Sequence, residues 1–304
     1  MHAWDEVAVM EAPLLYRLAR RLEEYARLMR LDRPIGIYLL LWPTLWALWV
    51  AGNGHPAPRL LVIFVVGVIV MRSAGCIVND FADRNVDPHV KRTRARPLAA
   101  RRVSATEALV IFVLLSALAL LLALQLDFFT LELAGIGAAL TVLYPFAKRY
   151  FAFPQLLLAP AFSWGVPMAF AALLGTLPRI AWVMFVATIV WVIIYDTLYA
   201  MVDRDDDLKI GVNSSAIVFA DLDRFIIGVL QLTMLAALWL MGESLHFGAA
   251  YRAALIASAF FFLYQQWLIR ARDPDGCLRA FLNNHYVGLS IFIGILLEYV
   301  YRRP

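Results

Sequence analysis

Charge is scarce in this sequence. Of its 304 residues, 16% are Asp, Glu, Lys or Arg and 62% are hydrophobic, against about 25% charged and about 45–50% apolar in soluble domains. A mean hydropathy of +0.73 leaves too little polar surface for a water-soluble globule and points to the bilayer. Cysteine is scarcer still: Cys76 and Cys277 stand far apart in no CxxC arrangement. Neither a thiolate metal site nor a disulfide scaffold is therefore supported, and both residues read as apolar fillers. His55, His89, His246 and His285 lack metal-ligand spacing among themselves. Period-two alternation is missing from the apolar runs, which argues against a β-barrel. No basic-aromatic motif suggests a nucleic-acid partner, so the pI of about 9.1 reports membrane topology and anionic lipid instead. The first 33 residues are not expected to act as a cleavable leader, because Asp5, Glu6, Glu11, Glu23 and Glu24 interrupt any hydrophobic region.

What is abundant is continuous apolar length. Runs that approach the roughly 20 residues needed to span a bilayer fall at 34–52, 59–79, 106–125, 128–146, 153–174, 178–200, 224–242, 248–268 and 286–302. The expected fold is an all-α integral membrane protein of about nine transmembrane helices. Of the 27 basic residues, 21 fall on the side of the N-terminus and five (Arg59, Arg179, Arg252, Arg302 and Arg303) on the other, with Arg72 inside the second span. The positive-inside rule makes the first side cytoplasmic. Within residues 1–33, Leu14, Leu15, Leu18, Leu22, Tyr25 and Met29 recur at helical spacing opposite Arg17, Arg20, Arg21 and Arg27. That pattern predicts an N-terminal tail carrying an interfacial amphipathic helix, followed by one transmembrane domain over 34–304. Trp42, Trp46 and Trp49 read as bundle packing or aromatic belt. Gly165 and Pro167 are expected to bend the fifth span.

Most connections are short, but the segments 80–105 and 203–223 are long, charged and on the cytoplasmic side, where function is expected to reside. Pro88 should end the helical extension of the first segment, and Ser104 with Glu107 forms a capping box that starts the third span. Asp83-Arg84-x-x-Asp87 recurs as Asp203-Arg204-x-x-Asp207 after four further spans, at an offset of 120 residues. Internal duplication of a four-helix unit is one reading of this, chance in a short string the other.

Both segments carry carboxylates at helical spacing. In NDFADRNVD (79–87), Asp80, Asp83 and Asp87 stand at i, i+3 and i+7, with Asn79 four before Asp83. In DTLYAMVDRDDD (196–207), Asp196, Tyr199, Asp203 and Asp207 stand at i, i+3, i+7 and i+11. A continued helix would present each set on one face. Carboxylates so clustered beside a membrane cost about 2.5–3.5 kcal/mol each at a span centre and require a cation. Hard oxygen ligands suit Mg²⁺, which is commonly held by one or two carboxylates together with substrate phosphate. The spacing thus favours a diphosphate-bearing ligand at a membrane mouth. Asp205, Asp206, Asp221 and Asp223 read instead as a solvated loop face paired with nearby arginines.

These motifs resemble the NDxxDxxxD and DxxYxxxDxxxD motifs of the UbiA-type intramembrane prenyltransferase family. RLMRLDRPIG (27–36), MRSAGCIVNDFADRNVD (71–87), HVKRTRARPL (89–98), YPFAKR (144–149), WGVPMAFAA (164–172) and DLKIGVNSSA (207–216) are similar to its 4-hydroxybenzoate branch, in order along nearly the whole chain. The resemblance implies a helical bundle around a central cavity with a cytoplasmic-side cap. It implies Mg²⁺ as cofactor, polyprenyl diphosphate and 4-hydroxybenzoate as substrates, and membrane lipid around the donor's tail. By motif position, Asp80, Asp83, Asp87, Asp203 and Asp207 serve the metal. Asn79 and Tyr199 serve the diphosphate, and Asp196 is the candidate to take a proton from the phenol or the ring.

Other cations remain open. Arg72, seven residues before Asn79 and so on its face, meets diphosphate or the acceptor's carboxylate, or else pairs with a motif aspartate. Lys148 and Arg149 either contact diphosphate or snorkel as topology markers. Arg30 and Arg33 are alternatives for the acceptor carboxylate. Lys91, Arg92, Arg94 and Arg96 read as a solvated face from which one reaches the diphosphate or none does. A sister enzyme with another aromatic acceptor is the nearest rival. A cation transporter is the rival from another class, although transporter acids tend to lie near the midplane.

Overall fold

The structure, a computed structural model, describes residues 14–89, 93–147, 153–210 and 214–301. Its helices are α1 (Leu14–Leu28), α2 (Ile35–Ala51), α3 (Pro58–Asp83), α4 (Ala105–Ala123), α5 (Phe128–Ala147), α6 (Gln155–Ser163), α7 (Gly165–Leu174), α8 (Arg179–Ile210), α9 (Ser215–Val218), α10 (Asp223–Ser244), α11 (Ala249–Leu268) and α12 (Pro274–Tyr301). Among the described residues there is no strand. Seven stretches of the described residues are long and apolar enough to cross a membrane, α6 and α7 together forming one of them. α2 is a shorter apolar helix of 17 residues. α11 has spanning length at 20 residues, but Arg252, Gln265 and Gln266 dilute its hydropathy. Each expected span therefore has a helix, and α12 begins at Pro274, twelve residues before the expected run.

The fifth span is broken rather than gently bent. Pro167 has no N–H to offer the Ser163 carbonyl, so the helical ladder lapses there, and α6 gives way to α7 at Trp164. The break is held by packing. Trp164 Nε1 donates to the Leu133 carbonyl at 2.7 Å, its ring lies edge-on to Phe185, and a Cβ at Gly137 would come within 2.6 Å of that ring. At Gly165 a Cβ would collide with Thr44 of α2.

The described chain forms two compact units. One takes residues up to 34 together with 70–118. Its core is Leu28, Ile77, Leu98, Val103 and Ala108, with Tyr25 and Met29 packed against them. Only the C-terminal part of the α1 stripe is thus covered, while Leu14, Leu15, Leu18 and Leu22 are exposed. Ser104 and Glu107 make the expected capping box: the Glu107 amide donates to Ser104 Oγ at 3.1 Å, and the Ser104 amide donates to Glu107 Oε2 at 2.8 Å. Tyr25 Oη adds a bond to Glu107 Oε1 at 2.8 Å, which docks α1 on α4.

The other unit takes 35–69 and 119–304. Its centre is aromatic: Trp46 and Trp191, both fully buried, stack with centroids 5.3 Å apart. Trp46 Nε1 donates to the Gly288 carbonyl at 3.1 Å, and Trp191 Nε1 to Asn284 Oδ1 at 2.9 Å. Each indole is buried with its one donor satisfied. Gln231, Gln265 and Asn283 add a buried amide chain joining α10, α11 and α12, the kind of interhelical hydrogen bonding that ties membrane helices.

Candidate active site

The first acidic motif straddles the end of α3. Counted at 1.5 Å per residue from Pro58, Arg72 lies about 21 Å along the helix, Asn79 about 32 Å and Asp83 about 38 Å. The motif thus begins where a hydrocarbon core of about 30 Å ends. The helix stops at Asp83, and Asp87 lies in a separate 3₁₀ turn, Asp87–His89. One continued helical face over 79–87 is therefore not what forms. Pro88 cannot donate to the Arg84 carbonyl, so the last turn before it is lost, and the Val86 amide closes on the Asp83 carbonyl at 2.8 Å instead.

Arginine, not helix register, brings Asp87 back. Arg96 donates from one nitrogen to Asp80 Oδ1 at 3.1 Å and Asp87 Oδ2 at 2.9 Å. Arg30 places one nitrogen 2.8 Å from each Asp80 oxygen. Asp80 is 1% exposed, and a carboxylate buried so deeply needs such partners. Thr93 Oγ1 fixes the loop by donating to the Asp87 carbonyl at 3.0 Å. Burial pushes the Asp87 carboxyl above the usual range, Arg96 pulls it down, and the charges of Asp83 and Asp80 push it up again. Two expectations change here. Arg96 belongs to the buried acidic cluster rather than to a solvated face, and Arg30 engages Asp80. Arg33 stays exposed beside Asp32, and Arg94 is exposed. Lys91, Arg92, Lys148 and Arg149 lie outside the described residues.

The second motif lies wholly on α8, whose 32 residues extend about 48 Å. Asp196, about 26 Å from Arg179, is still at bilayer depth, whereas Asp203, about 36 Å along, is past it. Asp196, Tyr199 and Asp203 share this helix and follow one face as expected; Asp207 lies on the same helix, with its side chain outside the described residues. Tyr199 packs on Phe281 with ring centroids 4.8 Å apart. Asp196 Oδ2 accepts a hydrogen bond from Gln155 Nε2 at 2.7 Å. Gln155 escaped the sequence reading, although a lone amide opening the apolar run LLLAPAF was a signal.

Asp223 reverses another expectation. It is fully buried, with Arg272 bonded to both oxygens at 2.8–3.1 Å and Arg204 Nη1 3.7 Å away. Hydrogen bonding to Asp223 raises the Arg272 pKa. Arg204, beside Asp203, is thereby tied to the start of α10, next to a cavity of about 350 Å³ also lined by Met201 and Leu208. Its counterpart in the first motif, Arg84, is exposed and lies 4.3 Å over the Phe81 ring.

Among the described residues no three acidic, histidine or cysteine groups form a ready metal cage. The donor set nevertheless suits Mg²⁺. Asp80, Asp83 and Asp87 are buried oxygen donors close enough for their charges to influence one another, and guanidinium groups are already drawn to them. Mg²⁺ favours a site of this kind, part protein and part substrate phosphate, over an all-protein cage.

The UbiA prenyltransferase family matches residues 40–294. A curated relative, the 4-hydroxybenzoate octaprenyltransferase of Coxiella burnetii (strain Dugway 5J108-111), is 51% identical over 285 residues, covering 94% of this chain and 99% of that protein. Among solved structures, the apo UbiA homolog from Aeropyrum pernix K1 superposes with a TM-score of 0.74 at 22% identity, over 86% of this chain and 97% of that one. The UbiA homolog from Archaeoglobus fulgidus bound to GPP and Mg²⁺ gives 0.68 at 16% identity, over 90% and 99%. At these identities the two structures bear on fold alone.

Proposed function

This chain belongs to the UbiA prenyltransferase family, and on that premise we propose that it transfers a polyprenyl group from polyprenyl diphosphate to the ring carbon ortho to the phenol of 4-hydroxybenzoate, in ubiquinone biosynthesis. The observation that carries this reading is 51% identity to a 4-hydroxybenzoate octaprenyltransferase across nearly its full length. The protein is an integral membrane enzyme. We place it in a bacterial inner membrane with its N-terminus and both acidic segments cytoplasmic, on the basic-residue asymmetry of 21 against five. The exposed leucines of α1 support an interfacial helix there.

The roles follow from chemistry and position. Asp80, Asp83 and Asp87 of the first motif serve one Mg²⁺ cluster, and Asp203 and Asp207 of the second serve the other. Asn79, Tyr199, Arg72, Lys148 and Arg149 bind the donor's diphosphate. The chemistry Mg²⁺ supplies when bound is neutralisation of charge on the departing diphosphate. Arg30 and Arg96 hold the carboxylates of Asp80 and Asp87 in position by hydrogen bonds until substrate arrives. Asp196, deeper on α8 than Asp203, accepts the proton that the ring releases. Aromatic side chains such as Phe281 beside Tyr199 are suited to an allylic cation.

The test is an acceptor panel. Membranes containing the chain are incubated with Mg²⁺, a polyprenyl diphosphate and 4-hydroxybenzoate, a naphthoate or homogentisate in parallel. Preferential prenylation of 4-hydroxybenzoate is expected; equal or better use of another ring would move the enzyme to a sister branch.

A further inference from the structure

Gln155 and Asp196 lie in one compact unit, where α6 packs along α8. Gln155 is 2% exposed. Only an amide nitrogen can face a carboxylate oxygen, so the 2.7 Å bond to Asp196 Oδ2 fixes which way the carboxamide is turned. Its Oε1 is then directed away from the carboxylate, and that atom is buried with no hydrogen-bond donor among the described residues. An unpaired buried carboxamide oxygen is destabilising. A leucine at 155 would simply continue the run Leu156, Leu157 and Leu158 without that cost. Asp196 shows the complementary feature. Its neighbours Tyr195 and Thr197 are buried, yet Asp196 itself retains accessible surface. α8 is packed by α6, α7, α9, α10 and α12, and among them Asp196 stays only partly covered. The unpaired oxygen of Gln155 and the partly accessible carboxylate of Asp196 thus lie on adjoining residues at bilayer depth.

Building on the proposed transfer reaction, we propose that Gln155 selects the aromatic acceptor: its Nε2 positions Asp196, and its Oε1 accepts the hydrogen bond of the ring hydroxyl. The ring carbon beside that hydroxyl bonds to the first prenyl carbon as the carbon–oxygen bond to diphosphate breaks. The hydrogen on the ring carbon leaves as a proton to Asp196, and its bonding pair restores the aromatic ring. A hydroxyl engaged by Gln155 sets which ring carbon faces the donor, so Gln155 acts as a positioning and specificity residue. An acceptor without the hydroxyl would leave Oε1 unpaired, a strong basis for discrimination.

The experiment uses the full chain in nanodiscs with Mg²⁺. It measures binding of 4-hydroxybenzoate and of benzoate by calorimetry, and KM for acceptor and donor. The wild type is expected to prefer 4-hydroxybenzoate to benzoate by about tenfold or more. Gln155→Leu should abolish this preference and raise acceptor KM while donor KM stays within roughly twofold. Gln155→Met serves if the leucine variant does not fold. Gln155→Glu, which in its protonated form keeps a donor to Asp196 and an acceptor oxygen, should retain the preference. A hydroxyl preference that survives in the leucine or methionine variant, or an equal rise in both KM values, would overturn the role of Gln155. Its loss in the glutamate variant would do the same. Failure of the wild type to prenylate 4-hydroxybenzoate would instead overturn the transfer reaction itself.

Discussion

Three arginines occupy backbone positions where glycine is preferred, and two of them, Arg30 and Arg272 with φ of 59° and 54°, each close a helix end in the left-handed region. Each also holds a buried aspartate, Asp80 and Asp223 respectively. The left-handed conformation costs an arginine about 1 kcal/mol, whereas removing one partner from a buried ion pair costs about 3 kcal/mol. The side chain therefore outweighs the backbone. Arg30→Gly should relax the turn yet destabilise the protein by about 2 kcal/mol net, read from thermal unfolding in detergent; a stabilised variant would show that the Asp80 pair is dispensable. These pairings were hidden in the sequence because nothing in local spacing links position 30 to 80, or 223 to 272. The motif aspartates were visible because helical periodicity is local; their partners were not.

At the scale of elements, the helices follow from features that can be read in sequence, and their ends follow less closely. The Ser104 and Glu107 capping box was legible because its two bonds span three residues. The end of α3 at Asp83 was not, since a proline acts on the carbonyl four residues before it and so undoes the turn ahead of itself. The break between α6 and α7 was foreshadowed by Gly165 and Pro167, but its tightness depends on Thr44, 121 residues earlier in the chain. Gly165→Ala should force α7 away from α2 and cost about 1–3 kcal/mol, measured as a lowered unfolding midpoint. An unchanged midpoint would mean that Thr44 rotates aside freely. α8 projects its acidic turns past the bilayer simply because it is long: its 32 residues exceed the roughly 20 that a span requires.

For the whole molecule, scarcity of charge decides where the charged residues can be useful. A chain with 62% hydrophobic residues keeps most of its described carboxylates near helix ends or in loops, where cations can reach them, and Asp196 at bilayer depth is the exception. Composition made the membrane class and the number of spans legible, and the paired motifs made the chemistry legible. Enclosure of Asp223 and the bond from Gln155 to Asp196 arise only when distant helices pack. Removal of divalent metal with a chelator should abolish prenyl transfer and added Mg²⁺ should restore it, while Ca²⁺, which takes more ligands at longer distances, should substitute poorly. Turnover indifferent to the chelator would exclude the metal. The most direct measurement compares the wild type with Asp83→Ala and Asp203→Ala in membranes given Mg²⁺, polyprenyl diphosphate and labelled 4-hydroxybenzoate. The wild type should form the ring-prenylated product, and each variant, folded and inserted, should lose at least about a hundredfold in rate. Undiminished transfer by either variant would contradict the assignment of these two aspartates to the diphosphate site.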